Sequence, residues 1–117
     1  MNILLAEDDK NLGPVIKTEL EEEDFKIDLV HDGVEAVLRF IDKSYQFILI
    51  DIRMPNLDGI NALRIIKKLD PDVPVIAFSG HAGSYQIEES HRAGAIKCFI
   101  KPFTMNELKE CIRQHTI

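Results

Sequence analysis

Only two cysteines, Cys98 and Cys111, occur in 117 residues, and they stand in neither C-x-x-C nor metal-type spacing. That leaves no disulfide framework and no thiolate zinc site to staple the fold, and points to a reducing compartment. Long hydrophobic runs are missing too: no apolar stretch approaches the about 20 residues of a membrane span. Met1 leads directly into the apolar residues 3–5, without a basic, then apolar, then small-residue leader. The expectation is therefore a cytoplasmic chain, neither secreted nor inserted in a membrane. Positive charge is short, with 14 Lys and Arg against 20 Asp and Glu and a net charge of -6. Such a balance argues against direct contact with nucleic acid or an anionic membrane surface, because phosphate binding needs clustered Lys and Arg. Internal repeats, low-complexity tracts and linkers are absent as well, so residues 1–117 are expected to form one domain.

What remains is an ordinary globular composition, 45% hydrophobic and 29% charged. Short apolar segments at residues 3–6, 27–30, 47–50, 75–78 and 98–100 alternate with helical patterns. Five such repeats of strand and helix predict an α/β fold, a three-layer α/β/α sandwich around a parallel sheet with right-handed crossovers. In the first helix Leu12, Val15, Ile16, Glu19 and Leu20 recur at helical spacing, with Pro14 tolerated because it lies in the first turn or so. In the second, Asp32 and Glu35 form a capping pair, and Val34, Val37, Leu38 and Ile41 make the expected core face. Ala62, Leu63, Ile66 and Leu69 do the same in the third. The last opens on Thr104 and Glu107 and should bury Met105, Leu108, Cys111 and Ile112. The fourth, residues 84–93, offers little beyond Tyr85, Ile87 and Ala93 and should be weakly anchored.

The chain is organised around residues 51–59, where a buried apolar run carries Asp51 into a Pro/Gly turn. Open α/β sheets place their ligands outside the carboxyl ends of the strands. Taken alone, Asp51 reads equally well as a turn or cap residue. Four strand ends together say more: Glu7, Asp8 and Asp9 follow the first strand, Asp51 the third, Ser79 and Gly80 the fourth, Lys101 and Pro102 the fifth. Two carboxylates 4 Å apart repel by roughly 4 kcal/mol at an effective dielectric near 20, so an acidic cluster there calls for a cation. Oxygen donors without His or Cys suit Mg²⁺, or Mn²⁺. A carboxylate in that setting can act as a nucleophile toward phosphorus, with Lys101 and the Ser79 hydroxyl on the phosphoryl oxygens. Asp9 reads as a helix-start residue.

Those motifs, Glu7–Asp8, the D-x-x-M-P-x-x-D-G pattern of residues 51–59, Ser79, and Lys101–Pro102, resemble the receiver domain of bacterial two-component response regulators over essentially the whole chain. The resemblance implies a flavodoxin-like sheet of order 2-1-3-4-5, with Asp51 as phosphoacceptor from a histidine kinase or histidine phosphotransfer protein. It implies Mg²⁺ held by Asp8, Asp51 and the backbone carbonyl of Arg53, with Glu7 acting through water. A cis peptide before Pro102 is a further expectation. Receivers switch a surface of the fourth helix, fifth strand and fifth helix, sometimes by dimerising on phosphorylation, and so act on a protein target or an output domain.

The family reads out phosphorylation through its Ser/Thr hydroxyl and an aromatic residue three positions before the lysine. Here that position is Cys98, too small to fill the space a ring would, so the switch is expected to run mainly through Ser79 and the loop after it. Cys98 reads as an inert buried thiol ahead of a redox sensor. Phe99 should face the other side of its strand. Arg53 and His81, two residues beyond Asp51 and Ser79, hold the positions that tune phosphoryl lifetime in receivers. His31, His91 and His115 show no ligand spacing. Three other readings compete: an aspartate-nucleophile phosphohydrolase, which would carry an acid where Arg53 stands; a phosphorylation-independent interaction domain; and a flavin or nucleotide module, disfavoured because residues 7–11 lack glycine. The reading is a phosphoacceptor and not a turnover enzyme.

Overall fold

The computed structural model describes residues 1–80 and 84–115. Five strands, β1 (Asn2–Ala6), β2 (Lys26–Val30), β3 (Phe47–Asp51), β4 (Val75–Ser79) and β5 (Lys97–Ile100), alternate with helices α1 (Leu12–Glu21), α2 (Gly33–Asp42), α3 (Gly59–Leu69), α4 (Ser84–Ala93) and α5 (Met105–Gln114). All strand pairs are parallel, in the order β2-β1-β3-β4-β5. β3 and β4 are buried at every position, which is why they read as unbroken apolar runs rather than alternating ones. This is the flavodoxin-like α/β/α sandwich expected from the sequence. No helix among the described residues is long and apolar enough to cross a membrane.

Each face of the sheet carries its own core. On one side α2, α3 and α4 cover Leu4, Ile48, Ile50, Val75 and Ala77; on the other α1 and α5 cover Ile3, Leu5, Phe47, Leu49, Ile76 and Phe78. Helix starts are fixed by side-chain caps that satisfy otherwise orphaned amides. Asp32 accepts from Glu35 N at 2.8 Å and Thr104 from Glu107 N at 3.1 Å, as their spacing predicts. Asp58 caps α3 through Asn61 N at 2.9 Å. Asp9 begins α1 by accepting from the Asn11 and Leu12 amides at 2.8 and 3.0 Å, and these bonds hold its pKa below the usual carboxylate range. Thr104→Ala should therefore cost about 1 kcal/mol, read as a lower urea midpoint at unchanged slope.

The helix faces need correction. In α2 the residues turned to the sheet are Gly33 and Ala36, with Val37 and Phe40 beside them, whereas Val34, Leu38 and Ile41 are 43, 57 and 60% exposed. Small residues are used because α2 approaches the chain closely: a Cβ on Gly33 would overlap the Leu57 carbonyl oxygen. Helical periodicity alone therefore pointed to the wrong flank. Val15 and Leu69 are likewise exposed, while Ile16, Leu20, Ala62, Leu63 and Ile66 are buried as expected. In α4 the missed anchor is Ser90, fully buried, whose hydroxyl donates to the Ile87 carbonyl at 2.7 Å.

Candidate phosphoacceptor site

The site lies at the carboxyl edge of the sheet, on both sides of the β1–β3 pair. Strand β1 ends at Ala6, and the Glu7 amide still donates to the Val30 carbonyl at 3.0 Å, so the backbone holds Glu7 in line before the chain turns into α1. Strand β3 ends at Asp51, paired in register with Phe78 of β4. The loop after it folds back at once: Ile52 N donates to the Phe78 carbonyl and Gly59 N to the Ile52 carbonyl, both at 3.0 Å. Asn56 takes the left-handed conformation at φ 69°, which Asn tolerates better than most residues, and its amide donates to Asp32 at 2.9 Å. A tight loop of this kind fixes the direction of Asp51.

Carboxylate oxygens of Glu7, Asp8 and Asp51 lie within 4.8 Å of one another. Glu7 is fully buried, Asp51 is 4% exposed, and Asp8 is open to solvent. Lys101, just past β5, places Nζ 2.8 Å from Asp51 Oδ2 as a hydrogen bond. The same ammonium is 2.8 Å from Glu7 Oε1, but the angles there do not make a hydrogen bond, and that buried oxygen has no hydrogen-bond donor. The Arg53 amide donates to Asp51 Oδ1 at 2.9 Å, and the Asp9 amide to Glu7 Oε2 at 3.1 Å. These two backbone donors were not anticipated; both follow from turns that bring the amide two residues on back toward a carboxylate.

Burial, followed by the neighbouring Asp51, pushes the Glu7 carboxyl up to about 7. Burial pulls the Lys101 ammonium down, but Asp51 and Glu7 outweigh it and leave its pKa above the ordinary lysine value. One lysine does not balance three acids, and the two buried carboxylates, Glu7 and Asp51, share it. An all-oxygen donor set of this charge fits a hard divalent cation.

A pH dependence follows. Folding raises the Glu7 pKa above its ordinary 4.5, so its contribution is complete below about pH 4.5 and is lost as pH climbs through about 7. In metal-free buffer, stability should fall across that window by up to about 3 kcal/mol, and saturating Mg²⁺ should recover the loss. Denaturant titrations at the two pH limits, with and without Mg²⁺, check this; a metal-free stability that rises with pH across the window would contradict it.

The remaining site residues are placed as follows. Ser79 is buried at the end of β4, and its carbonyl accepts from the Lys101 amide at 2.8 Å. The Lys101–Pro102 peptide is cis. Cys98 is buried on the α4 side of the sheet, its thiol pushed up by burial, which removes the nucleophilic thiolate a sensor would need. Phe99 faces the opposite core, where Phe103 packs against it and stacks on Phe78 at a centroid distance of 4.9 Å. His81 lies outside the described residues.

Three kinds of comparison agree with this geometry. The sequence model of the family described as the response regulator receiver domain matches residues 3–113. The chain is 36% identical over 115 residues to the transcription factor SKN7 of Chaetomium thermophilum, covering 97% of this chain and 15% of that protein. It is 32% identical over 111 residues to the response regulator ArlR of Staphylococcus saprophyticus, covering 95% of this chain and 50% of that protein. The chain thus spans half or less of these relatives. Among solved structures, response regulator TrrA of Thermotoga maritima in complex with Mg²⁺–BeF is similar at a TM-score of 0.89 and 30% identity, covering 98% of both chains. With its acidic cluster at the carboxyl edge of a 2-1-3-4-5 sheet, the chain belongs to the receiver-domain family of two-component response regulators.

Proposed function

We propose that residues 1–117 form one receiver unit in which Asp51 accepts a phosphoryl group from a phosphohistidine on a histidine kinase or phosphotransfer protein. The observation that carries this reading is the pairing of Asp51 with Lys101 at 2.8 Å within the acidic cluster of Glu7, Asp8 and Asp51. Glu7, Asp8 and Asp51, with the Arg53 backbone carbonyl, are the residues that would hold Mg²⁺; the same hard-oxygen donors accept Mn²⁺. When bound, the ion supplies charge neutralisation on the transferring phosphoryl oxygens.

An Asp51 carboxylate oxygen attacks phosphorus, the bond from phosphorus to the donor imidazole nitrogen breaks, and a mixed anhydride forms on Asp51. Lys101, already aimed at Asp51 Oδ2, stays on hand as a cation for the new phosphoryl oxygens. Ser79 supplies a hydroxyl from β4 to the same group. Pulling Ser79 and Lys101 inward biases the α4–β5–α5 surface toward an active arrangement. Cys98 cannot act there as a swinging ring. Its neighbour on α4 is the buried Ser90, so the α4–β5 contact reads out the change through small groups. Arg53 and His81 tune access of water to the phosphoryl group. The partner on the output side is a protein target or a further domain, with dimerisation on phosphorylation as one form of output; free cysteines suit a cytoplasmic setting.

Unlike a phosphohydrolase, a receiver stops after one transfer. With acetyl phosphate and Mg²⁺ the protein should plateau at one phosphoryl group per chain and show no sustained release of nitrophenol from p-nitrophenyl phosphate. Sustained turnover of the phosphomonoester would replace the receiver reading with the phosphohydrolase one.

A further inference from the structure

The α2–α3 side of the sandwich carries apolar surface that the receiver chemistry does not use. Val34, Leu38 and Ile41 on α2 and Ile65 and Leu69 on α3 are 43, 57, 60, 38 and 54% exposed. They lie on facing flanks. Arg39 reaches from α2 toward Asp28 on the edge strand β2, at 4.0 Å, and Arg64 reaches from α3 to Glu89 of α4, at 3.0 Å. At about 100° per residue, the α2 apolar residues sit on the flank away from Arg39 and the α3 pair on the flank away from Arg64. The two sets therefore line one groove between α2 and α3. Exposed apolar patches of this kind mark interaction sites.

The polar rim of the groove is complementary to itself. Both helices begin on a buried glycine, Gly33 and Gly59, and the close approach of Gly33 to the Leu57 carbonyl sets the two starts at similar height. Asp42 and Lys68 each stand nine residues beyond that first glycine, so they sit at matching heights and point directly away from the sheet. Both are exposed, and neither forms an ion pair among the described residues. A twofold axis parallel to the helices and running along the groove lays α2 of one protomer on α3 of the other while keeping heights unchanged. It brings Asp42 against the partner's Lys68 twice, with the apolar residues of both copies in the middle.

We propose that this groove is the contact surface of a homodimer in which α2 of each protomer packs parallel on α3 of its partner. The occupant is a second copy, because an acidic residue on one helix and a basic one on the other meet only when the same surface is presented twice. The surface is separate from the α4–β5–α5 side, and association needs no phosphoryl group.

Sedimentation equilibrium of the unphosphorylated chain tests this. The native protein should dimerise reversibly, and Leu38→Asp, at an exposed position, should be monomeric with an unchanged thermal melt. Asp42→Lys and Lys68→Asp should each weaken the dimer about tenfold, since each change converts two attractions into repulsions. The double variant, which restores both pairs, should return to within about threefold of the native constant. A native protein still monomeric at about 1 mM would overturn the proposal and assign the stripe to an unlike protein. A dimer indifferent to Leu38→Asp, or a double variant no better than the singles, would overturn it equally.

Discussion

Gly59→Ala will leave little folded protein. A Cβ at this position would overlap the Asp51 carbonyl oxygen, lie 2.5 Å from Ile52 Cα and 2.8 Å from the Asp51 carbonyl carbon. All three are backbone atoms, so no side chain can swing away. The backbone cannot retreat cheaply either: Gly59 N donates to the Ile52 carbonyl, and Ile52 N is tied to β4. Overpacking a well-filled site costs about 1–3 kcal/mol, and a clash that must move a β-strand terminus exceeds that range. A loss of about 4 kcal/mol or more is expected, most of the stability of a small domain. Any folded remainder should bind Mg²⁺ weakly, because the strained atoms are those that aim Asp51. Urea denaturation read by far-UV circular dichroism gives the result, and a midpoint near that of the native chain would show the loop to be looser than its hydrogen bonds imply.

Asp51→Asn should abolish phosphoryl acceptance and, in metal-free buffer at pH 8, make the protein more stable. The first effect is chemical, because an amide oxygen is no substitute for a carboxylate nucleophile. The second is electrostatic. Asp51 is the neighbour that, after burial, does most to push Glu7 up to about 7; without it Glu7 keeps Lys101 to itself at 2.8 Å. The amide oxygen can take the place of Oδ1 and still accept from the Arg53 N–H, while its NH2 replaces Oδ2 and leaves the Lys101 ammonium to Glu7. Relief of like-charge repulsion in a buried cluster is of order 1–2 kcal/mol. The gain should be reduced or reversed by Mg²⁺, which the native cluster binds more tightly. Parallel melts of the native and substituted chains, with and without the ion, separate the two contributions.

Much of this was legible in the sequence because it is carried by residue type at strand ends. Continuous apolar runs identified β3 and β4, and the capping pairs Asp32 with Glu35 and Thr104 with Glu107 set two helix starts that the hydrogen bonds reproduce. Glu7, Asp8, Asp51 and Lys101 do converge. What was not legible depends on shape. The apolar residues of α2 outnumber the space above the sheet, and the close approach at Gly33 selects the small face, turning Val34, Leu38 and Ile41 outward. Periodicity counts apolar residues and does not see that approach. The buried Ser90 was equally hidden, since a serine inside a polar helix gives no sign that its hydroxyl is satisfied by its own backbone. The amide donors from Arg53 and Asp9 belong to backbone geometry and not to side-chain identity.

The most direct measurement is intact mass after incubation with acetyl phosphate, comparing the native chain and Asp51→Asn, each with Mg²⁺ and with chelator. The native chain should gain one phosphoryl group only when Mg²⁺ is present, and the substituted chain none in either condition. A gain that survives in Asp51→Asn, or a native chain that binds Mg²⁺ yet gains nothing from acetyl phosphate or from a phosphohistidine donor, would contradict Asp51 as the phosphoacceptor.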